Sequence, residues 1–408
     1  MAVLLIGREL NSLLTRLPNR RRLVHNPRMT ITRHLPARLT PLDAALAMLR
    51  DEVRPVAPLE LPLAEALGCV AAETPQLAAV PACDVAAADG FALYARDLVG
   101  ASSYSPLPLA KPPPWVEAGD AMPAGSDCVV DADLVEWSGP LAQVVAEAIP
   151  GQGVRRAGGD IAGISAAITA GRPLRALDLL LARAAGLKTL KVRRPRLHLI
   201  NVPAAAGASQ TTQLIAELAQ ATGAAVTHED AAARDASSIA RAFDAKPCDL
   251  VAKPCDLVIT VGGTGVGLRD ATVEALAMRG NILAHGLALA PGRTTAIGRI
   301  AGIPVIALMG APDQALAAWW TLALPVLNRL SARNKRPFLR LPLARKIASG
   351  IGLAEIALVR KIDSAWMPLA SGNLSLDAIA LADGWLTIPA DSEGFAAGTP
   401  ADAYMLRD

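Results

Sequence analysis

The sequence predicts a multidomain α/β protein with a β-rich amino-terminal region that includes a helical segment, a central α/β region with a mostly parallel sheet, and a small carboxy-terminal β-barrel. The chain of 408 residues is too long for one compact core. Its 52% hydrophobic and 19% charged residues are typical of globular proteins. Along the chain, short apolar runs broken by Pro and Gly give way to alternating strand-like and helix-like segments, and this change separates the predicted regions.

Charge is distributed unevenly along the chain, whose formal net charge is +3. Residues 1–38 contain eight Arg and one acid, Glu9, so this segment carries +7 and the rest of the chain −4. The segment is interpreted as a basic tail or an over-extended start, because Met29 precedes the first convincing helix signal; a transit peptide is the alternative. With the positive charge confined there and no recognisable nucleic-acid-binding module, a nucleic-acid partner is not expected.

Residues 39–194 form the predicted amino-terminal region. Its first helix is expected to start at Thr40, whose hydroxyl can cap the first turn, with Pro41 in the first helical position and Asp43 completing a capping box. Broken apolar runs predict a β-rich segment over 55–150. Residues 151–194 are predicted to be partly helical, with an apolar core at 177–185.

The central region, 195–334, alternates predicted strands with predicted helices. The strands are expected at 197–202, 224–227, 257–261 and 303–308, and the helices at 210–222, 236–243, 270–278 and through Trp319 and Trp320. Such alternation predicts a largely parallel sheet with helices on both faces, and ligands bind beyond the carboxyl ends of its strands. Residues 335–408 contain short strand-like fragments that predict a small β-barrel or sandwich.

The sequence predicts neither a membrane-spanning protein nor a protein stabilised by disulfide bonds. No segment approaches the ~18 consecutive apolar residues of a membrane helix. The five cysteines are odd in number and form no CxxC pair, which argues against a disulfide framework and a zinc site. Two of them belong to a perfect tandem copy, 245–251 repeated as 252–258, which is interpreted as a duplication that lengthens one loop. A soluble, cytoplasmic protein without a membrane partner is expected.

The sharpest local signal is a glycine-rich turn in DLVITVGGTGVG, residues 256–267. A buried strand runs into alternating glycines at the start of a helix, where backbone N–H groups and the helix dipole favour an anion. The spacing is neither GxGxxG nor a P-loop, and a purely structural turn is the alternative. Asp256 and Asp270 flank the turn and could hold Mg²⁺, which prefers carboxylate and phosphate oxygens, although Asp270 could simply cap its helix.

Two further segments place charge beside glycine. Asp89 precedes Gly90 in VPACDVAAADGFA, and such a pair is also common in ordinary turns. Arg155 and Arg156 lie in GVRRAGGD, where they suit an anion or remain solvated. None of the five His has a partner at metal-ligand spacing, so none is assigned a catalytic role.

In this order, the motifs of residues 39–408 resemble the molybdopterin molybdenumtransferase family, the MoeA type, whose eukaryotic counterpart is the E-domain of gephyrin. The segments that carry the resemblance, each followed by the family pattern, are DGFA at 89–92 for MDGYA, AGDAMPAGSDCVV at 118–130 for TGAPLPxGADAVV, VRRAGGD at 154–160 for VRxxGxD, VGGTGVGLRD at 261–270 for SGGxSxGxxD, PGR at 291–293 for PGKP, Arg340 for a final-domain Arg, and Ser371-Gly372 for a Ser-Gly pair. The resemblance implies a central sheet of the molybdopterin-binding type.

The same resemblance implies a reaction. Molybdenum from molybdate would be inserted into adenylylated molybdopterin, with Mg²⁺ assistance and release of AMP, by an elongated homodimer with its site between the subunits. A molybdopterin adenylyltransferase or a recipient molybdoenzyme is the expected further partner. The implied site residues are a pyrophosphate cradle at Gly262, Gly263, Thr264 and Gly265, Mg²⁺ ligands Asp256 and Asp270, cofactor and molybdate contacts at Pro291, Gly292, Arg293, Arg340 and Ser371, and Asp89 and Asp160 facing the cleft from the other subunit.

Altered family positions leave other interpretations open. The family's TGDEL would lie at 202–206, where this chain reads VPAAA and lacks both acids. Ala290 and Arg293 replace the two Lys of KPGKP, and Ala118 replaces a Thr. Lost charges weaken a site that handles ions, so a non-catalytic molybdopterin-binding paralogue, acting as a cofactor carrier or molybdoenzyme assembly partner, is the alternative. An adenylyltransferase-like activity is a third interpretation.

Overall fold

The computed structural model describes residues 35–36, 38–163, 167–203, 208–244 and 255–406. The basic segment up to residue 34 lies outside the described residues, as do Ala204 and Ala205 of the altered TGDEL positions. Most of the tandem copy, from 245 to 254, lies outside them too. Where the structure is described, no helix has both the length and the apolar character needed to cross a membrane.

The first helix, α1 (Leu42–Arg50), buries the predicted apolar face, including Ala45 and Leu49, in the main core. The predicted cap is wrong, because Pro41 is the N-cap residue and no side chain caps the helix. Thr40 instead pairs with residues 286–288. Its N–H donates to the carbonyl of Gly286 at 3.0 Å, and its own carbonyl accepts from Ala288 at 2.8 Å. This extended pairing takes Thr40 out of the first helical turn.

Short strands make up much of the amino-terminal region, in agreement with its broken apolar runs. In chain order they are β1 (Leu59–Pro62), β2 (Val70–Ala71), β3 (Val85–Ala86), β4 (Gly90–Leu93), β5 (Leu107–Pro108), β6 (Trp115–Val116), β7 (Cys128–Val130), β8 (Val135–Ser138), β9 (Leu141–Val144), β10 (Val154–Arg155) and β11 (Thr189–Arg193). They pair as β1-β11-β2, β10-β3, β6-β4-β7 and β5-β9-β8. The predicted helical segment contains α2 (Ala176–Ala184).

The central region contains a sheet of order β13-β12-β14-β18-β17-β15. Its strands are β12 (Arg196–Asn201), β13 (Ala225–Asp230), β14 (Leu257–Val261), β15 (Asn281–His285), β17 (Ala296–Ile300) and β18 (Ile303–Leu308), and β16 (Leu289–Ala290) leaves it for another sheet. The helices are α3 (Ala208–Ala221), α4 (Ala236–Asp244), α5 (Thr272–Arg279), α6 (Pro312–Ala318) and α7 (Leu324–Leu330). Parallel pairing of β13, β12, β14 and β18 confirms the predicted sheet. The antiparallel pairing of β17 with both neighbours was not predicted.

The carboxy-terminal region is built on a sheet of order β16-β21-β23-β25-β19, with β22 beside β21. The elements after α7 are β19 (Leu339–Pro342), β20 (Ile347–Ala348), β21 (Ala354–Ile362), β22 (Ala365–Ser371), α8 (Leu376–Leu381), β23 (Gly384–Ile388), β24 (Gly394–Phe395) and β25 (Pro400–Met405). The central segment β16 pairs in parallel with β21. This pairing fixes the register between the central region and the final sheet.

One hydrophobic cluster joins these two regions. It runs from α1 through the strands β12, β14 and β18 and the buried Trp319 to Ile356 of β21 and Trp385 of β23. The amino-terminal strands bury separate clusters, for example around Cys128 and Val144. Burial of apolar surface is the main favourable term in folding, so the central and carboxy-terminal regions depend on each other for stability.

Candidate functional site

The carboxyl ends of three parallel strands, β12, β14 and β18, meet at one edge of the central sheet. The N–H of Val202 donates to the carbonyl of Val261 at 3.0 Å, and the N–H of Gly262 donates to the carbonyl of Leu308 at 2.9 Å. The glycine-rich turn that follows β14 therefore lies between the ends of its two neighbours. This is the edge at which parallel α/β sheets bind ligands.

The turn needs glycine at Gly262 and Gly263 for steric reasons. Both residues have positive φ, +104° and +70°, a region that other L-residues rarely adopt. A Cβ on Gly263 would lie 2.5 Å from the Oγ1 atom of Thr272, the first residue of α5. That hydroxyl donates to the carbonyl of Gly262 at 2.7 Å. The glycines thus allow the strand to turn directly onto the start of the helix.

Polar groups of the turn are left available for a ligand. Within the described residues, the backbone N–H groups of Gly263, Thr264 and Gly265 donate no hydrogen bond. The Oγ1 atom of Thr264 also has no partner there, although the residue is only 1% exposed. Buried polar groups are normally hydrogen-bonded, and α5 directs its positive end toward this turn. These features together suit an anionic oxygen.

His285, the last residue of β15, supports the turn from the side. Its Nε2 atom lies 3.0 Å from the carbonyl oxygen of Thr264. Because a carbonyl can only accept, Nε2 carries the proton in this contact. The sequence predicts no role for any His, because this contact depends on how β15 pairs with β17 and not on spacing along the chain.

Asp270 closes the turn and is already paired. Its carboxylate accepts from the backbone N–H of Gly267 at 3.0 Å and from Arg234 at 2.9 Å. The N-cap residue of α5 is Ala271, so Asp270 does not cap the helix as the alternative interpretation suggested. A Cβ on Gly265 would lie 2.6 Å from Asp270 Oδ2, which explains glycine at that position.

Asp256 lies at the opposite end of β14 from the turn. Its carboxylate accepts from the backbone N–H of Arg196 at 2.8 Å and from the guanidinium of Arg196 at 3.1 and 2.9 Å. Arg196 begins β12, so this pair ties the amino ends of two strands. With a rise of about 3.3 Å per residue, the strand separates Asp256 from Gly262 by roughly 15 Å or more. The structure therefore does not bring Asp256 and Asp270 together.

The PGR segment returns to the same edge. The Ala290–Pro291 peptide is cis, and Gly292 has a φ of +127°. The Oγ1 atom of Thr295 donates to the carbonyl of Gly292 at 2.8 Å, and β17 begins at the next residue, beside the end of β18. The exposed Arg293 forms no ion pair or hydrogen bond through its side chain with any described residue. The same holds for the exposed Arg269 in the turn itself.

Glu355, which the sequence did not predict as a site residue, links Ser371 to this edge of the sheet. Its hydroxyl donates to Glu355 Oε2 at 3.0 Å, and the N–H of Gly350 donates to the other carboxylate oxygen at 3.2 Å. Glu355 lies on β21 directly beside Ala290 of β16. The register of that parallel pair, invisible in the sequence, places the Ser371–Glu355 pair next to the PGR segment.

Arg340 lies elsewhere in the final sheet. It forms a two-point ion pair with Asp402 across β19 and β25, at 2.5 and 2.7 Å. Strand β19 ends the sheet order at the side opposite to β16. The structure thus places Ser371, but not Arg340, beside the PGR segment.

Asp89 and Asp160 lie in two paired segments of the amino-terminal region. Asp89 accepts from the N–H of Ala118 at 2.8 Å, and Asp160 pairs with Arg155 at 3.2 Å. Their segments are joined by the pairing of β3 with β10. Nearby, a backbone N–H bond from Ala157 and then the guanidinium of Arg156 lower the pKa of Asp84. No described hydrogen bond or ion pair links Asp89 or Asp160 to the glycine turn within this chain.

A carboxylate also lies at the end of the neighbouring strand β13. Asp230 is in register with Asn201, the last residue of β12, and accepts from its side-chain amide at 2.8 Å. Asn201 in turn accepts from the hydroxyl of Thr212 on α3 at 2.9 Å. Asp230 is therefore an acid close to the strand end that the altered TGDEL positions follow.

Comparison with known proteins finds two matching family regions in the chain. Residues 40–186 match the model of the MoeA N-terminal region (domain I and II), and residues 204–329 match that of a probable molybdopterin binding domain. The chain is a MoeA-type family member. A molybdopterin molybdenumtransferase 2 of Mycobacterium tuberculosis is 26% identical over 400 residues, covering 87% of this chain and 97% of the relative.

Two other comparisons span most of the molecule. A molybdopterin molybdenumtransferase of Synechococcus elongatus is 28% identical over 416 residues, covering 89% of this chain and 99% of the relative. The crystal structure of a molybdopterin biosynthesis MoeA protein from Pyrococcus horikoshii has a TM-score of 0.66 at 24% identity, covering 91% of this chain and all of that one. The MoeA-type fold therefore extends from the amino-terminal strands to the final sheet.

Proposed function

We propose that this protein functions in molybdenum cofactor biosynthesis as a molybdopterin molybdenumtransferase. It would insert molybdenum from molybdate into adenylylated molybdopterin and release AMP. The observation that carries the proposal is a set of donors in the glycine turn that have no partner among the described residues, the N–H groups of Gly263, Thr264 and Gly265 with the buried Thr264 hydroxyl. Family membership and the names of the two bacterial relatives support it.

The turn suits the cleavage of a pyrophosphate. An oxygen of water or molybdate would form a bond to the molybdopterin phosphorus as its bond to the bridging oxygen breaks, and the departing AMP would take the negative charge. Donors held in place before the reaction stabilise such charge without reorganising. Arg269 and Arg293, which form no side-chain hydrogen bond or ion pair with a described residue, would add positive charge beside the turn. The hydrogen bond from His285 holds the Thr264 carbonyl.

Molybdate would bind between the turn and the final sheet. Arg293 offers a guanidinium that is unpaired among the described residues, and Ser371 offers a hydroxyl whose position is set by Glu355. Arg340 is engaged by Asp402 and is left out of this set. Asp230 is the acid that we propose in place of the missing TGDEL carboxylates, because it lies at the same strand ends.

The two carboxylates expected to bind Mg²⁺ do not form a shared metal site. Asp256 and Asp270 lie at opposite ends of β14, and each is paired with an arginine. In the described residues, no three His, Cys, Asp or Glu side chains come together to hold a metal ion. We therefore assign no step of the reaction to Mg²⁺.

The remaining partners follow from the same proposal. No described hydrogen bond or ion pair links Asp89 or Asp160 to the turn of their own chain, so we propose that they complete the site of a second copy in a homodimer. The product would pass to a recipient molybdoenzyme, and the substrate would come from a molybdopterin adenylyltransferase.

The direct test is release of AMP from adenylylated molybdopterin by the purified protein in the presence and absence of molybdate. We expect molybdate-dependent turnover. Arg293→Ala should lower kcat/KM by roughly 10- to 100-fold without changing Tm, because an exposed cation that stabilises a developing charge contributes about 1.4 to 2.8 kcal/mol. Arg183→Ala, which removes an exposed arginine of α2, is the matched control and should retain full activity.

The rival interpretation, a non-catalytic pterin-binding paralogue, is tested in the same assay. The variant Ala204→Asp/Ala205→Glu restores the two acids of the family motif. Tight pterin binding without AMP release by the unaltered protein, with activity gained by the restored variant, would contradict the transferase proposal and identify a binding paralogue. AMP release by the unaltered protein that is lost when Asp230 is replaced would support the transferase proposal.

A further inference from the structure

A large cleft lies away from the glycine turn, between the first helix, the end of α7 and the final sheet. Its volume is about 720 Å³, within the range of small-molecule sites. None of its lining residues belongs to the glycine turn or the PGR segment. The proposed transferase site therefore gives this cleft no role.

Aromatic rings line the cleft in a chain that has few of them. Only 3% of the residues are aromatic, yet four line this cleft: Trp320, Phe338, Trp385 and Tyr404. The rings of Trp320 and Trp385 are stacked at 5.4 Å, and Tyr404 lies 4.9 Å from Trp385. The ring of Phe338 is 52% exposed, which leaves apolar ring surface open to a ligand.

The lining also contains a buried donor. Trp385 is only 4% exposed, and its Nε1 atom has no hydrogen-bond partner within the described residues. The atom is itself inaccessible to solvent, so the open ring surface of Phe338 and the charges of the lining, and not this donor, favour a ligand.

The charge of the lining favours an anion. Five basic residues and one acid, Asp43, line the cleft; the basic residues are Arg50, Arg329, Arg333, Lys335 and Arg336. Arg50 and Lys335 are exposed, and neither forms an ion pair with a described residue.

We propose that this cleft is a second binding site, for a small molecule that joins a planar aromatic ring to an anionic group. The ring would pack against Phe338 and Tyr404, and the anionic group would lie near Arg50 and Lys335. Guanidinium and ammonium groups beside aromatic surface suit such a ligand because ring contact and charge act on its two ends.

The test uses 8-anilinonaphthalene-1-sulfonate, a planar aromatic anion whose fluorescence reports binding, and N-phenyl-1-naphthylamine, its neutral analogue, as a comparison. We expect one saturable sulfonate site per chain and binding of the neutral analogue about tenfold weaker or less. The variant Arg50→Glu/Lys335→Glu should weaken sulfonate binding about tenfold and leave the neutral analogue unaffected. Phe338→Ser, at an exposed position, should weaken both probes.

Two controls make the result decisive. Lys111→Glu/Lys188→Glu changes two exposed lysines elsewhere and matches the change in net charge, so it should leave binding unaltered. Gly263→Ala should also leave it unaltered, which separates this cleft from the proposed transferase site. Absence of saturable sulfonate binding, or equal weakening by the cleft variant and the lysine control, would overturn the proposal, whatever the outcome for AMP release.

Discussion

At the scale of single residues, Gly263 combines two constraints that only glycine meets. Its φ of +70° disfavours any other L-residue by about 1–2 kcal/mol, and an added Cβ would lie 2.5 Å from the Thr272 hydroxyl. We expect Gly263→Ala to lower the free energy of unfolding by more than this backbone cost and to abolish tight binding of adenylylated molybdopterin. Urea unfolding and a pterin binding assay measure the two effects.

A second glycine provides the matched control. Gly302 has a similar φ of +83°, but nothing lies within 4 Å of the Cβ that alanine would add. Gly302→Ala should therefore show the backbone cost alone and bind pterin normally. Equal losses of stability in both variants, with pterin binding intact in both, would argue against the close approach at Gly263 as the reason for glycine there.

Asp178 is a residue whose charge stabilises the fold. Its side chain is 5% exposed, and hydrogen bonds from the Arg175 guanidinium and backbone hold its pKa below the usual value. A lowered pKa in the folded state means that the stabilisation is present above the unfolded pKa, about 3.9, and is lost as pH falls through the folded pKa.

Asp178→Asn should accordingly cost about 1–2 kcal/mol at pH 7, because it removes a charge-assisted pair. The difference from the unaltered protein should shrink as pH falls from 4 toward 2. Urea unfolding at a series of pH values measures it. A difference that stays constant over this range would mean that the charge of Asp178 does not contribute.

At the scale of elements, the two ends of strand β14 have different roles. Its amino end is tied to β12 by the Asp256–Arg196 pair, and its carboxyl end leads into the glycine turn. We expect Asp256→Ala to lower the free energy of unfolding by about 1–3 kcal/mol, since the partner charge is left partly buried. We expect no change in pterin affinity. Asp230→Ala, at the carboxyl edge, should weaken pterin binding and leave the free energy of unfolding unchanged. Measuring both quantities in both variants tests whether the two ends of the strand have separate roles.

At the scale of the whole molecule, the shared core links the central region to the final sheet. Trp385 packs on Trp320 and belongs to the cluster that contains α1 and the central strands. Trp385→Ala should lower stability by about 3–5 kcal/mol. Because the core is shared, the central and carboxy-terminal regions should unfold together. Near-ultraviolet and far-ultraviolet circular dichroism should therefore show the same unfolding transition for these two regions. Separate transitions for the final sheet would contradict a shared core.

Several features follow from the sequence alone because they are local. The four predicted strands and the helices of the central region, and the glycine turn between β14 and α5, agree with apolar periodicity and glycine placement to within a few residues. The strands β15, β16 and β17 were not predicted. The order of the family motifs also predicted the MoeA-type assignment. Local patterns of this kind depend on neighbours along the chain, so a single sequence carries them.

The tertiary structure decided which of these residues meet. Asp256 flanks the turn in the sequence, yet the length of β14 carries it to the far edge of the sheet. Glu355 is distant in sequence from Ala290, yet the β16–β21 register places it beside the PGR segment with Ser371. Strand direction and register are set by long-range packing, and for that reason only the folded chain shows which of these residues lie near one another.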